Sequence, residues 1–397
     1  MIDQLRKEFN LRFSEEKYSR LLGNINSQYG HTPLFRVCET PIFIPETLKK
    51  QLLDACDHIT SVVSQKSFKS KTESAFKKQS HKIPNEDSQT TFMALDFGIC
   101  EDESGQLMPQ LIELQGFPSL YFFQESLARA YQETYQLDSW DSFLGGHNKK
   151  SYNLLLKSII VGDCDPKEVV LLEVDPYHQI TQIDFYITIA ELGIKIICIS
   201  KLLKRGKKLY YKDESGRLVN IKRIYNRIIF DELDRKPEFI NEFRFQDEVE
   251  VHWVGHPNWF YRISKFTLPI FDSPYIPKCF YLDQLDRLPD DLDQYVLKPL
   301  FSFAGAGVKL HVSKELVNKL DKPSNYILQK KVDYAPVLPT TDVPAKFEVR
   351  MMTLFNPATQ RHEVVNNLIR VSKGEMIGVR YNKDKLWVGA SAGLFQQ

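Results

Sequence analysis

The chain has 397 residues, of which 43% are hydrophobic and 26% are charged, a balance that is ordinary for a soluble globular protein. Its 52 basic and 51 acidic side chains leave a formal net charge of +1, so no global field would recruit nucleic acid or an anionic membrane. Composition also excludes disordered and fibrous classes, and the length predicts two or three domains with substantial cores.

Cysteine usage and the N-terminal segment indicate the compartment. The 6 cysteines are scattered without a CxxC pair, which favours a reducing environment. The first segment, MIDQLRKEFNLRF, is charged and amphipathic and lacks an apolar signal core. No run of roughly 18 apolar residues occurs that would suit a membrane span. We therefore expect a cytoplasmic protein without a membrane partner.

Two segments of different character precede the first strands. Apolar residues recur at helical spacing from Leu48 to Val63, after a start signal at Pro45, and predict one amphipathic helix. The segment from Ser67 to Thr90 is polar and lysine-rich without periodicity. A mobile, solvated loop is its first interpretation, and a basic lid that contacts substrate is the second.

A predicted hairpin carries the candidate metal ligands. Thr91 to Cys100 and Gln110 to Leu114 are short apolar runs separated by a turn-rich segment, which predicts two antiparallel strands. Asp96 lies on the first strand, and period-two alternation places Glu113 and Gln115 on one face of the second. Two carboxylates and an amide oxygen suit Mg²⁺, which binds oxygen ligands and bridges to phosphates. The alternative is that Asp96 and Glu113 are ordinary acids on edge strands.

The clearest βαβ pattern lies between Glu168 and Ser200. An apolar strand, an amphipathic helix from Thr181 to Leu192 and, after Gly193, a second strand predict a small open α/β domain. Four polar residues follow the first strand, at the edge where such sheets bind ligands. Substrate contact and helix capping both stay open as explanations for them. They are Asp175, His178, Gln179 and Thr181.

The segment YVLKPLFSFAGAGV predicts a phosphate cradle. Its apolar strand carries Lys298, and a turn rich in Ser, Gly and Ala follows with Gly305 and Gly307. The lysine supplies a compact cation, and glycines let backbone amides close around an anion. The turn is not a Walker loop, because the lysine precedes the glycines and no GxxxxGK[ST] occurs. A β-hairpin with glycines at its turn is the alternative interpretation.

Residues before and after this cradle extend the predicted site. Lys265 precedes it and would meet the same anion across a cleft, unless it is a lone surface lysine. The strand YILQKKV after the cradle is expected to line a flat heterocycle. Glu348 and Arg350 alternate on the strand FEVRMMTLF, and Arg370 lies on the next strand. A planar guanidinium suits bidentate recognition of phosphate or carboxylate, so these arginines also point to the site.

The order of these parts resembles the ATP-grasp superfamily, with one rearrangement. Lys265, the Lys298-Pro299 pair with its Gly-rich loop, the strand from Gln329 to Val332 and the two arginine strands follow the order of an ATP-grasp chain. The metal motif, which would come last, instead lies near the N-terminus in LDFGICEDESGQLMPQLIELQGFPSL. The arrangement is similar to the circularly permuted ATP-grasp group that includes the synthetase domain of glutathionylspermidine synthase. The resemblance covers roughly residues 33 to 397.

The resemblance implies a fold class and a domain division. The fold would be α/β (α+β): a circularly permuted ATP-grasp fold that binds nucleotide between two α+β lobes, with a small open α/β domain added. Residues 1–150 would form N-terminal helices and the metal-motif hairpin of the catalytic lobe, and residues 151–255 a pre-ATP-grasp substrate domain. Residues 256–332 would form the nucleotide lid, and residues 333–397 the remainder of the catalytic lobe.

The resemblance also implies ATP and Mg²⁺ as cofactors and a role for each residue. The residues implied to contact the phosphates and the adenine side of ATP are Lys265 and Lys298, with Ser302, Gly305 and Gly307 over the β- and γ-phosphates. Those implied to hold adenine are Gln329, Lys330 and Val332. The implied Mg²⁺ ligands are Asp96, Glu113 and Gln115. Those implied to steady the transferring phosphoryl group and the acyl phosphate are Arg350 and Arg370.

The implied activity is ADP-forming ligation of a small carboxylate and an amine. The carboxylate attacks the γ-phosphate, and the amine then displaces phosphate from the acyl phosphate to form an amide. Gln115 stands where the family has asparagine, which keeps open an ATP-binding regulatory or partner-binding module with weakened catalysis. No cysteine amidase domain is expected in this chain, so the glutathione and spermidine pair does not follow. Nucleic-acid binding is disfavoured by the neutral net charge.

Overall fold

The structure is a computed structural model that describes residues 3–76, 82–239, 242–302, 305–378 and 381–396. Its helices are α1 (Asp3–Arg12), α2 (Glu15–Tyr29), α3 (Glu46–Val63), α4 (Phe68–Lys71), α5 (Tyr121–Tyr135), α6 (Lys149–Ile160), α7 (Gln182–Leu192), α8 (Phe230–Arg235), α9 (Asn258–Arg262) and α10 (Lys314–Asn318). Its strands are β1 (Ile42–Phe43), β2 (Phe92–Glu101), β3 (Leu107–Gln115), β4 (Trp140–Asp141), β5 (Val169–Glu173), β6 (Lys195–Cys198), β7 (Leu203–Arg205), β8 (Lys208–Lys212), β9 (Leu218–Ile221), β10 (Arg223–Asn226), β11 (His252–Val254), β12 (Cys279–Tyr281), β13 (Tyr295–Pro299), β14 (Tyr326–Lys330), β15 (Lys346–Asn356), β16 (Arg361–Ser372), β17 (Gly389–Ser391) and β18 (Gly393–Gln396).

A five-stranded antiparallel sheet has the order β17-β16-β15-β2-β3. It combines two strands from the first third of the chain with three strands that follow residue 345. Its first two strands in sequence, β2 and β3, are the predicted hairpin. Strand β15 pairs with β2 so that Arg350 lies opposite Asp96, and Glu348 lies opposite Arg370 on β16. The hairpin therefore shares one sheet with the strands that carry Glu348 and Arg370.

The two faces of this sheet have different neighbours. Cross-strand partners point to the same side, so the apolar residues of one face, such as Leu95 and Val349, pack together against α3. Helix α3 begins after Pro45, as predicted, and its buried stripe includes Leu52 and Ile59. Each such side chain contributes roughly 2 kcal/mol through burial. The opposite face is covered by α5 at one end and carries charged side chains at the other.

The predicted βαβ pattern is present. Strands β5 and β6 lie in a parallel sheet of order β11-β10-β5-β6, and α7 connects them. Helix α7 ends where Gly193 adopts the left-handed conformation, with φ of 71°. A small antiparallel sheet of β7, β8 and β9 follows β6 in the chain.

A three-stranded antiparallel sheet, β12-β14-β13, forms the segment that we name the lid sheet. One of its faces packs on a small apolar core that includes Tyr295, Leu297 and Leu328. The other face carries Lys298 and Gln329, since these residues alternate with the apolar ones, and it is turned toward β3. The lid sheet and the hairpin thus meet at β3.

The polar segment from residue 67 to 90 is anchored to the body of the protein in its described parts. Phe68 and Ile83 are buried, and the buried guanidinium of Arg262 donates hydrogen bonds to Glu86 and Glu73. The interpretation as a solvated loop is therefore corrected for residues 67–76 and 82–90, because buried charges and apolar anchors hold them. Residues 77–81 lie outside the described residues.

Within the described ranges, no helix combines the length and apolarity that crossing a bilayer needs. All six cysteines are free thiols. The predicted domain boundaries stay predictions, although the α/β strands β5 to β11 and the lid strands β12 to β14 fall inside two of the predicted segments.

Candidate functional site

Three charged side chains form one row across the five-stranded sheet. Asp96 on β2 lies opposite Glu113 on β3 and opposite Arg350 on β15. The register of β2 and β3 shifts beside Asp96, so Phe97 pairs with Leu111 and Ile112 is left out as a bulge. The bulge releases the Ile112 carbonyl from the strand ladder for another donor.

Asp96 is the centre of a buried ion network. Arg350 donates to it in a bidentate pair, with Nε–Oδ1 and Nη2–Oδ2 distances of 2.6 and 2.7 Å. Arg370 Nη2 donates to Oδ2 at 2.6 Å and also lies 2.7 Å from Oε2 of Glu348. Burial raises the pKa of Asp96, but the two guanidinium groups outweigh this effect and hold the pKa below its usual range. Asp96 is therefore a fixed anion that is already neutralised.

The two predicted phosphate lysines converge on β3. Lys298 Nζ donates to the bulged Ile112 carbonyl at 2.9 Å. Lys265 Nζ lies 2.8 Å from Glu113 Oε1 and 2.6 Å from the Ser302 carbonyl oxygen. Only 2% of Lys265 and 7% of Lys298 is exposed, which rules out the alternative that Lys265 is a surface lysine.

The electrostatics of this cluster favour an anion. Burial lowers the pKa of the Lys298 ammonium to about 8, although nearby Glu113 opposes the shift. The cluster contains four cations and three carboxylates, so one positive charge is in excess. The cations are Lys265, Lys298, Arg350 and Arg370, and the carboxylates are Asp96, Glu113 and Glu348. An excess charge removed from water is a strong attractor for a phosphate.

The Gly-rich turn closes beside these lysines. Gly305 and Gly307 have φ of 72° and 74°, and a Cβ at Gly307 would lie 2.8 Å from Pro299. Lys309 pairs with Leu297 of β13 after the turn. The turn is thus the end of a hairpin, as the alternative interpretation held, and its place beside the lysines also suits the cradle. Residues 303 and 304 lie outside the described residues.

The strand predicted to hold adenine is partly committed to other bonds. Gln329 Nε2 donates to the Leu111 carbonyl at 2.9 Å, so its side chain binds β3. The Lys330 amide donates to Lys278, and the Lys330 side chain is exposed. The backbone of β14 pairs on both sides, and contact of this segment with adenine stays a prediction. Val332, at the end of the predicted segment, lies beyond this paired backbone and could still contact the base of a nucleotide.

The predicted magnesium ligands fit only in part. Asp96 is engaged by two arginines, so it is not a ligand in the site that we propose. Glu113 offers a carboxylate, and Gln115 Oε1 is buried without a partner among the described residues. These two oxygens fit Mg²⁺, which is often held by one or two protein ligands plus phosphates and water. Over the described residues, no three His, Cys, Asp or Glu side chains form a metal site by themselves.

The cleft is closed in this structure. The cavity at the end of β3 is lined by Glu113 and Gln115, by Lys265, and by Ser302 in the turn after β13, and has a free volume of about 20 Å³. That is the space for about one water molecule. Both lysines are bonded to protein oxygens, so a triphosphate at this site would have to displace those contacts.

The polar residues after β5 divide between local and longer contacts. His178 Nδ1 lies 2.7 Å from Asp175 Oδ1, and Gln179 donates to the Val174 carbonyl and to Glu232. Thr181 occupies the N-cap position of α7 but makes no capping hydrogen bond through its side chain. Contact of these residues with substrate stays a prediction.

The sequence analysis missed two features of the site. The bulge at Ile112 has no residue signal, because isoleucine is an ordinary strand residue. Tyr334, which donates a hydrogen bond to Glu348, lies on the connection between β14 and β15. Its position next to Asp333 in a polar segment did not distinguish it from a surface tyrosine.

The fold of this chain is similar to that of solved structures. One of the matching structures is that of a glutathione synthetase-like effector, GSS30, from Globodera pallida in its apo form, with a TM-score of 0.60. The sequences are 12% identical, and the match covers 96% of each chain. At this identity the likeness shows a glutathione synthetase-like fold alone. No protein-family model and no curated protein matches the chain.

Proposed function

We propose that the protein is an ATP-dependent carboxylate–amine ligase that forms an amide bond through an acyl phosphate and releases ADP and phosphate. The observation that carries the proposal is the convergence of Lys265 and Lys298, from separate segments, on one strand within a cluster of excess positive charge. The glutathione synthetase-like fold supports a ligase scaffold. The substrates are a small carboxylate and an amine, and neither is a nucleic acid.

The lysines bind the phosphates once the lid sheet opens. Lys298 exchanges the Ile112 carbonyl for a phosphate oxygen, and Lys265 exchanges Glu113 and the Ser302 carbonyl. Both ammonium groups are already buried, so binding of phosphate removes little further water from them. Glycines 305 and 307 let the turn approach the phosphates closely.

Arg370 is the cation that we assign to the transferring phosphoryl group. Its side chain is 35% exposed, and its Nε is buried without a partner among the described residues. Asp96 and Glu348 orient it. The role of Arg350 in the reaction stays a prediction, because its 8% exposed side chain is engaged with Asp96.

Glu113 and Gln115 would hold Mg²⁺. When bound, the ion supplies charge neutralisation at the phosphates. Glu113 therefore has two roles. Its carboxylate pairs with Lys265 in the present structure, and it would face the metal when nucleotide is bound.

A second candidate is an ATP-binding module with weakened catalysis. The observation that favours it is Gln115, whose longer side chain places the amide oxygen differently from an asparagine. Both candidates predict nucleotide binding, and only the ligase predicts turnover. Release of ADP by the purified protein, measured with amino acids, peptides and polyamines and with Mg²⁺ present or omitted, tests the proposal. Substrate-dependent ADP release supports the ligase, and binding without release favours the module.

We predict that nucleotide affinity falls as pH rises through about 8. The Lys298 ammonium, whose pKa is lowered to about 8 by burial, is protonated below that pH and neutral above it. Phosphate binds the charged form, so the dissociation constant for Mg·ATP should rise about tenfold from pH 7 to pH 9. Calorimetric titration at both values measures the change.

Lys298→Arg is the matched control for this titration. A guanidinium keeps its charge over the whole range, so the variant should show a nearly flat profile even where its affinity differs from that of the parent. A tenfold change in the arginine variant would assign the titration to another group.

A further inference from the structure

The connection between the lid sheet and β15 passes over the charged end of the five-stranded sheet. The Ala335 amide donates to the Ile99 carbonyl at 2.9 Å, which fixes this connection to β2. Tyr334, one residue earlier, turns its ring down onto Gly98. A Cβ at Gly98 would lie 2.9 Å from the Tyr334 ring, so only glycine permits this approach.

The hydroxyl of Tyr334 reaches the ion network. It donates a hydrogen bond to Oε1 of Glu348, whose other oxygen lies 2.7 Å from Arg370 Nη2. Arg370 in turn donates to Asp96. Burial raises the pKa of the Tyr334 phenol, and Glu348 adds to the shift, so the phenol stays a donor. One unbroken chain of contacts therefore runs from the connection to Arg370.

We infer that Tyr334 is a positioning residue, which holds Glu348 so that the Arg370 guanidinium keeps its direction at the charged end of the five-stranded sheet. The inference rests on the proposed function for its catalytic consequence. Its structural part stands on the contacts alone.

The variant Tyr334→Phe separates the hydrogen bond of the hydroxyl from the space-filling role of the ring. Tyr334→Phe keeps the ring on Gly98 and removes only the donor to Glu348, so the fold is retained. Without that donor Glu348 has more rotamers available, so its ion pair with Arg370 is less well fixed, while Asp96 still accepts from Arg370. The Arg370 guanidinium then becomes more reactive toward chemical modification, and its orientation is less well fixed.

The test is the rate at which phenylglyoxal modifies Arg370, followed by peptide mass spectrometry in the parent and in Tyr334→Phe. We expect a rise of several-fold in the variant, on the scale of one lost charge-assisted hydrogen bond. Gly98→Ala, which displaces the ring, should give the same rise. The matched control is Tyr211→Phe, since the Tyr211 hydroxyl donates to the Lys167 carbonyl at 2.8 Å in the α/β domain.

A second readout separates this inference from the proposed function. In Tyr334→Phe the kcat for ADP formation should fall about tenfold with KM for ATP changed less than about twofold, because the aim of Arg370 matters in the transition state. Equal Arg370 modification rates in the parent, Tyr334→Phe and Gly98→Ala would overturn the inference. If the parent releases no ADP, the proposed function fails, and the modification rates still decide the role of Tyr334.

Discussion

Asp96→Asn is expected to destabilise the protein by about 3 to 5 kcal/mol, the cost of leaving buried charges without their partner. The fully buried carboxylate neutralises Arg350 through a bidentate pair and also accepts from Arg370. An amide keeps the shape, but it offers only one acceptor oxygen and no charge to the two guanidinium groups. The free energy of unfolding, measured in urea, gives the size of the loss.

The control for this variant is a surface carboxylate. Asp290 lies 2.8 Å from Arg287, and both side chains are at least 75% exposed. Asp290→Asn should leave the free energy of unfolding almost unchanged, because water screens exposed ion pairs. If Asp96→Asn were as stable as Asp290→Asn, Asp96 would not be the centre of a buried network.

Glu113→Gln is expected to lower turnover by roughly a hundredfold or more while Mg·ATP affinity changes much less. The amide keeps the size of the side chain but removes the charge that faces the metal, and this charge matters most where phosphoryl charge develops. The lost pairing with Lys265 frees that ammonium for phosphate, which sustains binding. Steady-state kinetics and calorimetry separate the two effects.

Gln115→Asn is the companion variant. It shortens the arm that carries the unpaired Oε1 and keeps the same amide group, so turnover should be retained or improved. Equal losses of binding and turnover in Glu113→Gln would instead assign Glu113 to the lysine contact alone.

Local patterns predicted much of the fold because they report burial directly. Alternating residues gave the β2–β3 hairpin and the shared face of Glu113 and Gln115, and the apolar spacing after Pro45 gave α3. The resemblance implied that this hairpin belongs to one lobe with residues 333–397, and in the structure it pairs with β15, where Asp96 lies opposite Arg350.

The remaining features depend on long-range partners that no local pattern encodes. Asp96 as a metal ligand and Asp96 as an arginine partner require the same residue type, and its partners lie more than 250 positions away in the chain. The polar segment near Glu86 likewise looked solvated because its buried partner, Arg262, is distant in sequence. Residue types identify what can pair, whereas the fold decides which pairs form.

The measurement that tests the central proposal most directly is calorimetric titration of the parent and of Lys298→Ala with Mg·ATP near pH 7. We predict that the parent binds and is stabilised against unfolding by about 3 kcal/mol at a hundredfold excess over Kd. Lys298→Ala should remain folded and bind at least about tenfold more weakly, because it loses the buried ammonium that serves the phosphates. Absence of binding by the parent, or equal affinity in Lys298→Ala, would contradict the assignment of the cleft between β3 and the lid sheet as the nucleotide site.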